Sequence, residues 1–201
     1  MPFIGNKPTA VPLTSADLED NIITSAKIVD GTIATADISD GAVTSVKTTG
    51  VGGTNTPAFE ARNTGTQTGL GDAVWTKMTL NSETYDTDND FDSSTNYRFT
   101  PQTAGKYFFY AKSKFQVSTY NDLRTGQIKF YKNGSAIEFT LSSFTPYGDT
   151  TGGTGVSPFT SAVIDMNGST DYVEAYIRID GLNSTNQSTE YNLFGGYKII
   201  E

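Results

Sequence analysis

The chain contains no cysteine and no histidine. The first absence excludes disulfides and thiolate metal sites. The second removes the commonest general base and the commonest metal ligand together. Charged residues make up only 18% of the 201 positions, and the net charge is −8. No cluster of Lys and Arg offers the positive surface that a phosphate backbone requires, so a nucleic-acid partner is not expected. No apolar run reaches membrane-spanning length, so membrane insertion is not expected either. The opening Met1-Pro2-Phe3-Ile4-Gly5-Asn6-Lys7-Pro8 lacks the apolar core of a secretion signal.

Catalytic signatures are equally scarce. Serines are plentiful, but no His stands ready to activate one and no Ser-x-x-Lys motif occurs. The glycines from Gly50 to Gly53 are not followed by Gly-Lys-Ser/Thr, so they form no phosphate loop. Asp and Glu could supply a carboxylate pair for glycan hydrolysis, but no spacing singles one out. The reading from residues alone is a protein without enzymatic activity.

What is present is turn chemistry and aromatics. The chain has 20 glycines and abundant Thr, Ser and Asn, with aromatics at 12% and concentrated after residue 58. That composition belongs to a β-rich chain with many turns. Four regions follow. Residues 1–12 form a leader in which Pro2, Pro8 and Pro12 favour extended backbone. It is either a loose terminus or a peptide that docks Phe3, Ile4 and Pro8 on a partner.

Residues 13–47 carry an internal repeat. Leu13, Leu18, Ile23, Ile28, Ile33, Ile38 and Val43 recur every five residues. A ten-residue unit overlies this spacing: Thr24-Ser25-Ala26-Lys27 corresponds to Ala34-Thr35-Ala36-Asp37, and Asp30-Gly31 to Asp40-Gly41. A period of five matches neither a helix nor a strand. It fits a repeating strand-turn coil with one apolar residue per segment. One buried aliphatic contributes at most ~1.5–3 kcal/mol, less than the conformational entropy lost on ordering five residues. Such a segment is not expected to fold alone. An intertwined trimer would bury the seven aliphatics as stacked rings; a single-chain coil and a disordered linker are the alternatives. Residues 48–57 read as a flexible joint.

Residues 58–201 read as strand after strand. Ala73–Leu80 alternates, with Val74, Thr76, Met78 and Leu80 on one face. Lys106–Phe115 is strongly β-prone. Asn133-Gly134 and Asn167-Gly168 each lie between two alternating runs and predict hairpins. In Asp171–Ile179, Val173, Ala175, Ile177 and Ile179 share one face while Tyr172, Glu174, Tyr176 and Arg178 share the other. The fold class expected is all-β: a sandwich or jelly-roll head preceded by a repeat-built fibrous stalk.

The head residues resemble a known family. Pro57-Ala58-Phe59-Glu60-Ala61, Trp75–Asn81, Tyr97–Pro101, Ala104-Gly105-Lys106-Tyr107-Phe108-Phe109, Ile128–Gly134 and Phe194–Ile200 follow one another as the strands of C1q-like heads do. That family shares its jelly roll with the tumour-necrosis-factor proteins. The resemblance spans Pro57 to Glu201 and implies a homotrimeric head. In place of a collagen-like stalk stands the five-residue repeat. The leader Phe3–Pro8 followed by Ile/Asp-Gly repeats resembles bacteriophage virion fibre proteins. It implies a virion location, an anchor on a capsid or tail protein, and a head that faces outward for host attachment or particle decoration. A secreted or cell-surface C1q-like lectin or adhesin is the alternative.

Candidate sites are few. Asp86, Asp88 and Asp90 alternate as calcium ligands can. Against this, Phe91 and Tyr97 stand where an EF-hand loop needs Gly and Glu, and a polar turn with Tyr85 and Phe91 directed into the core is the plainer reading. No cofactor is otherwise expected. Phe144 and Tyr147 on one long polar loop, and Leu182 and Asn183 on another, are candidate receptor-facing residues, with a host-surface glycan as the partner considered.

Overall fold

Apolar residues at every second position drive the described residues of the head into thirteen strands forming two stacked antiparallel sheets. The computed structural model describes residues 14, 20, 23–43, 55–117, 122–145, 155–181 and 187–199. The chain divides into two units, Met1–Gly52 and Gly53–Glu201.

The first sheet contains β1 (Ala58–Arg62), β3 (Ser82–Asp86), β6 (Ala104–Gln116), β10 (Gly155–Val156), β11 (Phe159–Asn167) and β13 (Ser188–Lys198). The order is β10-β6-β13-β1-β3, and β11 pairs with β6 on the same side as β10. The second sheet contains β2 (Thr76–Lys77), β4 (Phe91–Asp92), β5 (Arg98–Phe99), β7 (Leu123–Lys132), β8 (Ser135–Ala136), β9 (Ser142–Phe144) and β12 (Val173–Gly181). Its order is β4-β5-β12-β7-β8, with β2 on β12 and β9 on β7.

Between the sheets lies an aromatic core. Phe59 stacks on Phe91 and Phe99 at ring-centre distances of 4.9 and 4.3 Å, and Phe194 meets it edge-on at 4.9 Å. Tyr107, Phe109, Phe115 and Phe130 extend the cluster, and Ile128, Ile177 and Ile179 fill the second sheet's inner face. The face expected for Val173, Ala175, Ile177 and Ile179 is the buried one.

Three expectations need correction. Asn133-Gly134 does close a hairpin, pairing Lys132 with Ser135 and Tyr131 with Ala136. Asn167-Gly168 does not. It carries the chain from β11 in the first sheet to β12 in the second. Asn167 Oδ1 accepts the backbone N–H of Ser169, Thr170 and Asp171 at 2.9–3.0 Å, so the side chain coils the turn and breaks the pairing register. In the Ala73–Leu80 segment only Met78 and Leu80 are buried; Val74 is exposed and the strand proper is Thr76–Lys77. Tyr85 is exposed, while Phe91 is in the core as expected.

The repeat region is also rebuilt from its expected form. Thr24 and Ala34 stand extended and open 3-10 turns at Ser25–Lys27 and Thr35–Asp37. Lys27 N donates to Thr24 O and Asp37 N to Ala34 O, both at 2.9 Å. After extended Ile28 and Ile38, a second turn follows: Thr32 N donates to Val29 O at 3.1 Å, and Ala42 N to Ser39 O at 3.0 Å. Gly31 and Gly41 take φ of +78° and +76° there, a conformation that costs glycine little. Two unlike turns per ten residues give the period of five. No residue of this region belongs to a strand among those described, because one or two extended residues between turns are too few to pair.

Candidate functional site

The outer face of the first sheet is where an antiparallel sandwich normally meets water. Here it is aromatic. Tyr107 and Phe109 point into the core, so Phe108 and Tyr110 must point out. Strand register then assembles rows. Val163, Phe108, Tyr197 and Ala58 lie side by side across β11, β6, β13 and β1. The Phe108 and Tyr197 rings are 5.6 Å apart. The next row is Tyr110, Gly195, Glu60 and Tyr85. Tyr110 reaches over Gly195, and its hydroxyl donates to Glu60 Oε2 at 2.9 Å. Burial, with Tyr85 and Glu60 beside it, pushes the Tyr110 phenol far above the ordinary tyrosine value.

A second apolar surface lies along the sandwich edge. The 3-10 turn Glu138–Thr140 bridges the sheets: Thr160 Oγ1 donates to Thr140 O at 2.5 Å, and Phe130 N to Thr140 Oγ1 at 2.9 Å. Phe139 (77% exposed) and Leu141, on either side of Thr140, and Phe159, beside Thr160, are open to solvent, as is Phe144 on β9. The two surfaces differ in shape and chemistry, one a flat aromatic face and the other a ridge of single side chains.

A bulge in β13 adds a feature that the sequence did not suggest. The register shifts between Glu190 and Leu193. Asn192 turns inward, fully buried, and its amide is satisfied by Ser113, Gln67 and Thr189. Tyr191, at φ +52°, is thrown outward with Lys114 over its ring.

In the repeat region every described apolar residue of the five-residue series is solvent-facing. Ile23, Ile28, Ile33, Ile38 and Val43 are 40–54% exposed in a single chain.

The other expected sites are placed as follows. Asp86 caps its own loop, accepting Phe91 N at 2.7 Å. Asp88 accepts Thr87 Oγ1 at 2.6 Å, and Asp90 accepts Gln102 N at 3.3 Å. Burial, then the charges of Asp86 and Asp88, raise the Asp90 pKa. Each carboxylate therefore serves a different part of the turn, and no group of three acidic residues suited to a metal ion occurs among the described residues. Phe144 is exposed on β9. Phe3, Ile4, Pro8, Leu13, Leu18, Tyr147, Leu182 and Asn183 lie outside the described residues. The sequence does carry a signal for the aromatic face: Tyr107-Phe108-Phe109-Tyr110 puts aromatics on both parities of one strand, which a sheet with one wet face does not need.

No family model and no curated protein matches the chain. Among solved structures, Eiger TNF from S. frugiperda is similar with a TM-score of 0.50 and 12% identity, covering 71% of this chain and 91% of that one. Murine APRIL at pH 8.0 gives a TM-score of 0.50 at 10% identity over 71% and 98%. The globular domain of zebrafish complement 1qA protein gives 0.46 at 17% identity over 71% and 96%. At these identities the likeness concerns the fold: the head is an all-β jelly roll of the tumour-necrosis-factor type.

Proposed function

We propose that this chain is a trimeric structural appendage, a virion fibre whose leader anchors it to a capsid or tail protein and whose head faces outward. The observation that carries the reading is the exposure of the repeat's aliphatics. A segment whose described aliphatics all face water in one chain is suited to completion by further copies. The head supports the same reading independently. A flat aromatic face and an apolar ridge on one protomer are unlike surfaces, and unlike surfaces make head-to-tail contacts, which close into a ring when the rotation between copies permits it. Three copies close such a ring with the first sheets inward and the second sheets outward. The jelly-roll likeness and the virion-fibre resemblance of the leader fit this arrangement. The role is mechanical and adhesive, with no catalytic step.

Light scattering of the full chain tests the oligomer: three times 21.6 kDa is expected, and a monomeric mass overturns the reading. Deletion of residues 1–12 tests the anchor. The shortened chain should remain trimeric and be missing from purified particles.

A further inference from the structure

The outer face of the second sheet is built differently from an ordinary solvated face. Lys77 on β2, Tyr176 on β12 and Lys129 on β7 form one row by register, and Glu174 and Tyr131 form the next. The Tyr131 and Tyr176 rings lie tilted by 30° with centres 3.9 Å apart. Lys129 Nζ lies 4.3 Å from the centre of the Trp75 ring and 5.4 Å from that of Tyr131. Two ionised groups are sunk among these rings at the sheet surface: Lys129 and Glu174 are 5% and 4% exposed. Glu174 Oε1 meets Lys77 Nζ at 2.5 Å, and Lys129 donates to Glu138 at 2.9 Å. Arg178 is pinned by Ala73 O and Gln127 Oε1.

Sinking two charges at a surface is costly even when they are paired, and apolar packing would serve stability as well. The face is nonetheless fully preorganised. Ring edges and faces, fixed N–H donors and carboxylate acceptors alternate within a few ångströms. Its charges balance, with Lys77, Lys129 and Arg178 against Glu138, Glu174 and Asp180. A polyanion or polycation finds no net field here. A neutral polyhydroxylated ligand finds what it needs: rings for the C–H face of a sugar, and charged hydrogen-bond partners for its hydroxyls.

We propose that this face binds a neutral, pyranose-containing glycan, with Trp75, Tyr131 and Tyr176 as the aromatic platform and with the more exposed Lys77 and Glu138, held in place by the buried Glu174 and Lys129, as the hydroxyl-binding groups. The site lies within one protomer, so it does not depend on the trimer reading. If glycan binding fails while light scattering still gives a trimer, only the site is lost.

Trp75 is the chain's only tryptophan, so its fluorescence reports on this face alone. Full-length protein is titrated with neutral hexasaccharides of glucose, mannose and galactose, and with a sulfated hexasaccharide. A saturable change with at least one neutral sugar is expected. Tyr176→Ala should weaken it at least about tenfold, and Tyr176→Phe should retain it. If Tyr176→Ala does not fold, Lys129→Met, which keeps the stem and removes the ammonium, carries the same expected loss. No response to any neutral sugar at millimolar concentration overturns the proposal, as does a response to the sulfated sugar alone. So does undiminished binding by a folded Tyr176→Ala or Lys129→Met variant.

Discussion

The Tyr110 ring covers Gly195 so closely that a Cβ at Gly195 would stand 2.5 Å from the ring's Cζ. The neighbouring Gly196 has the matching relationship on the opposite face, where a Cβ would stand 2.6 Å from the Phe109 ring. One glycine thus opens the outer face to an aromatic side chain, and the next opens the core. The two should respond differently to alanine. Gly196→Ala crowds a packed core and the Phe108 carbonyl, and should destabilise the head by about 1–3 kcal/mol, read as a lower urea midpoint. Gly195→Ala can be relieved by swinging Tyr110 away from Glu60. It should leave monomer stability nearly intact and weaken the oligomer, read by mass at increasing dilution.

The repeat region gives a test that separates packing between chains from packing within one. Ile28 is 40% exposed in a single chain, so Ile28→Asp should be nearly neutral if the chain acts alone. In a trimer it sets three carboxylates near one axis. The full chain should then lose the melting transition of residues 13–47 or dissociate. Calorimetry of both proteins decides, and an unchanged trimer melt refutes stacked aliphatic rings.

Phe139 makes the same distinction in the head. At 77% exposure it contributes little to the fold of one protomer, and Phe139→Asp should shift monomer stability by no more than about 0.5 kcal/mol. If the edge ridge seats on a second copy, the same change should dissociate the trimer. Light scattering and a urea curve on one sample separate the two outcomes.

Asp171 joins both Asn-Gly turns. Its carboxylate accepts Asn133 Nδ2 at 2.7 Å and Asn167 N at 3.0 Å, and meets Lys132 Nζ at 2.7 Å. Lys132 first, then Asn133, hold its pKa below the usual carboxylate value. A carboxyl whose pKa is lower in the folded state than in the unfolded one adds stability above the unfolded value, about 3.9. That stability is lost as pH falls through the folded value. Asp171→Asn should therefore lower the urea midpoint at pH 7, and the gap from wild type should narrow as pH drops below about 4.

Asn133-Gly134 and Asn167-Gly168 also show where local sequence stops being informative. Both dipeptides lie between alternating runs, and both make tight turns. Only the first joins paired strands. The difference lies in where the next strand finds a partner: β8 pairs back on β7, whereas β12 finds β7 and leaves β11 to β6. Pairing across sheets is a contest among distant segments, which a dipeptide does not encode. The repeat shows the converse limit. Its period of five was plain in the sequence, but the 3-10 and glycine turns that generate it depend on backbone geometry.

The sequence by itself determined the all-β class, the inner face of β12, the Asn133-Gly134 hairpin and the spacing of the repeat. These rest on side-chain parity and on turn residues, both of which act within a few positions. Only the tertiary structure decided that Tyr110 crosses Gly195 to reach Glu60, that Asn192 turns in and Tyr191 out, and that Lys129 and Glu174 lie among aromatic rings. Each of these joins residues from strands far apart in the chain, and it is the register between those strands that brings them together.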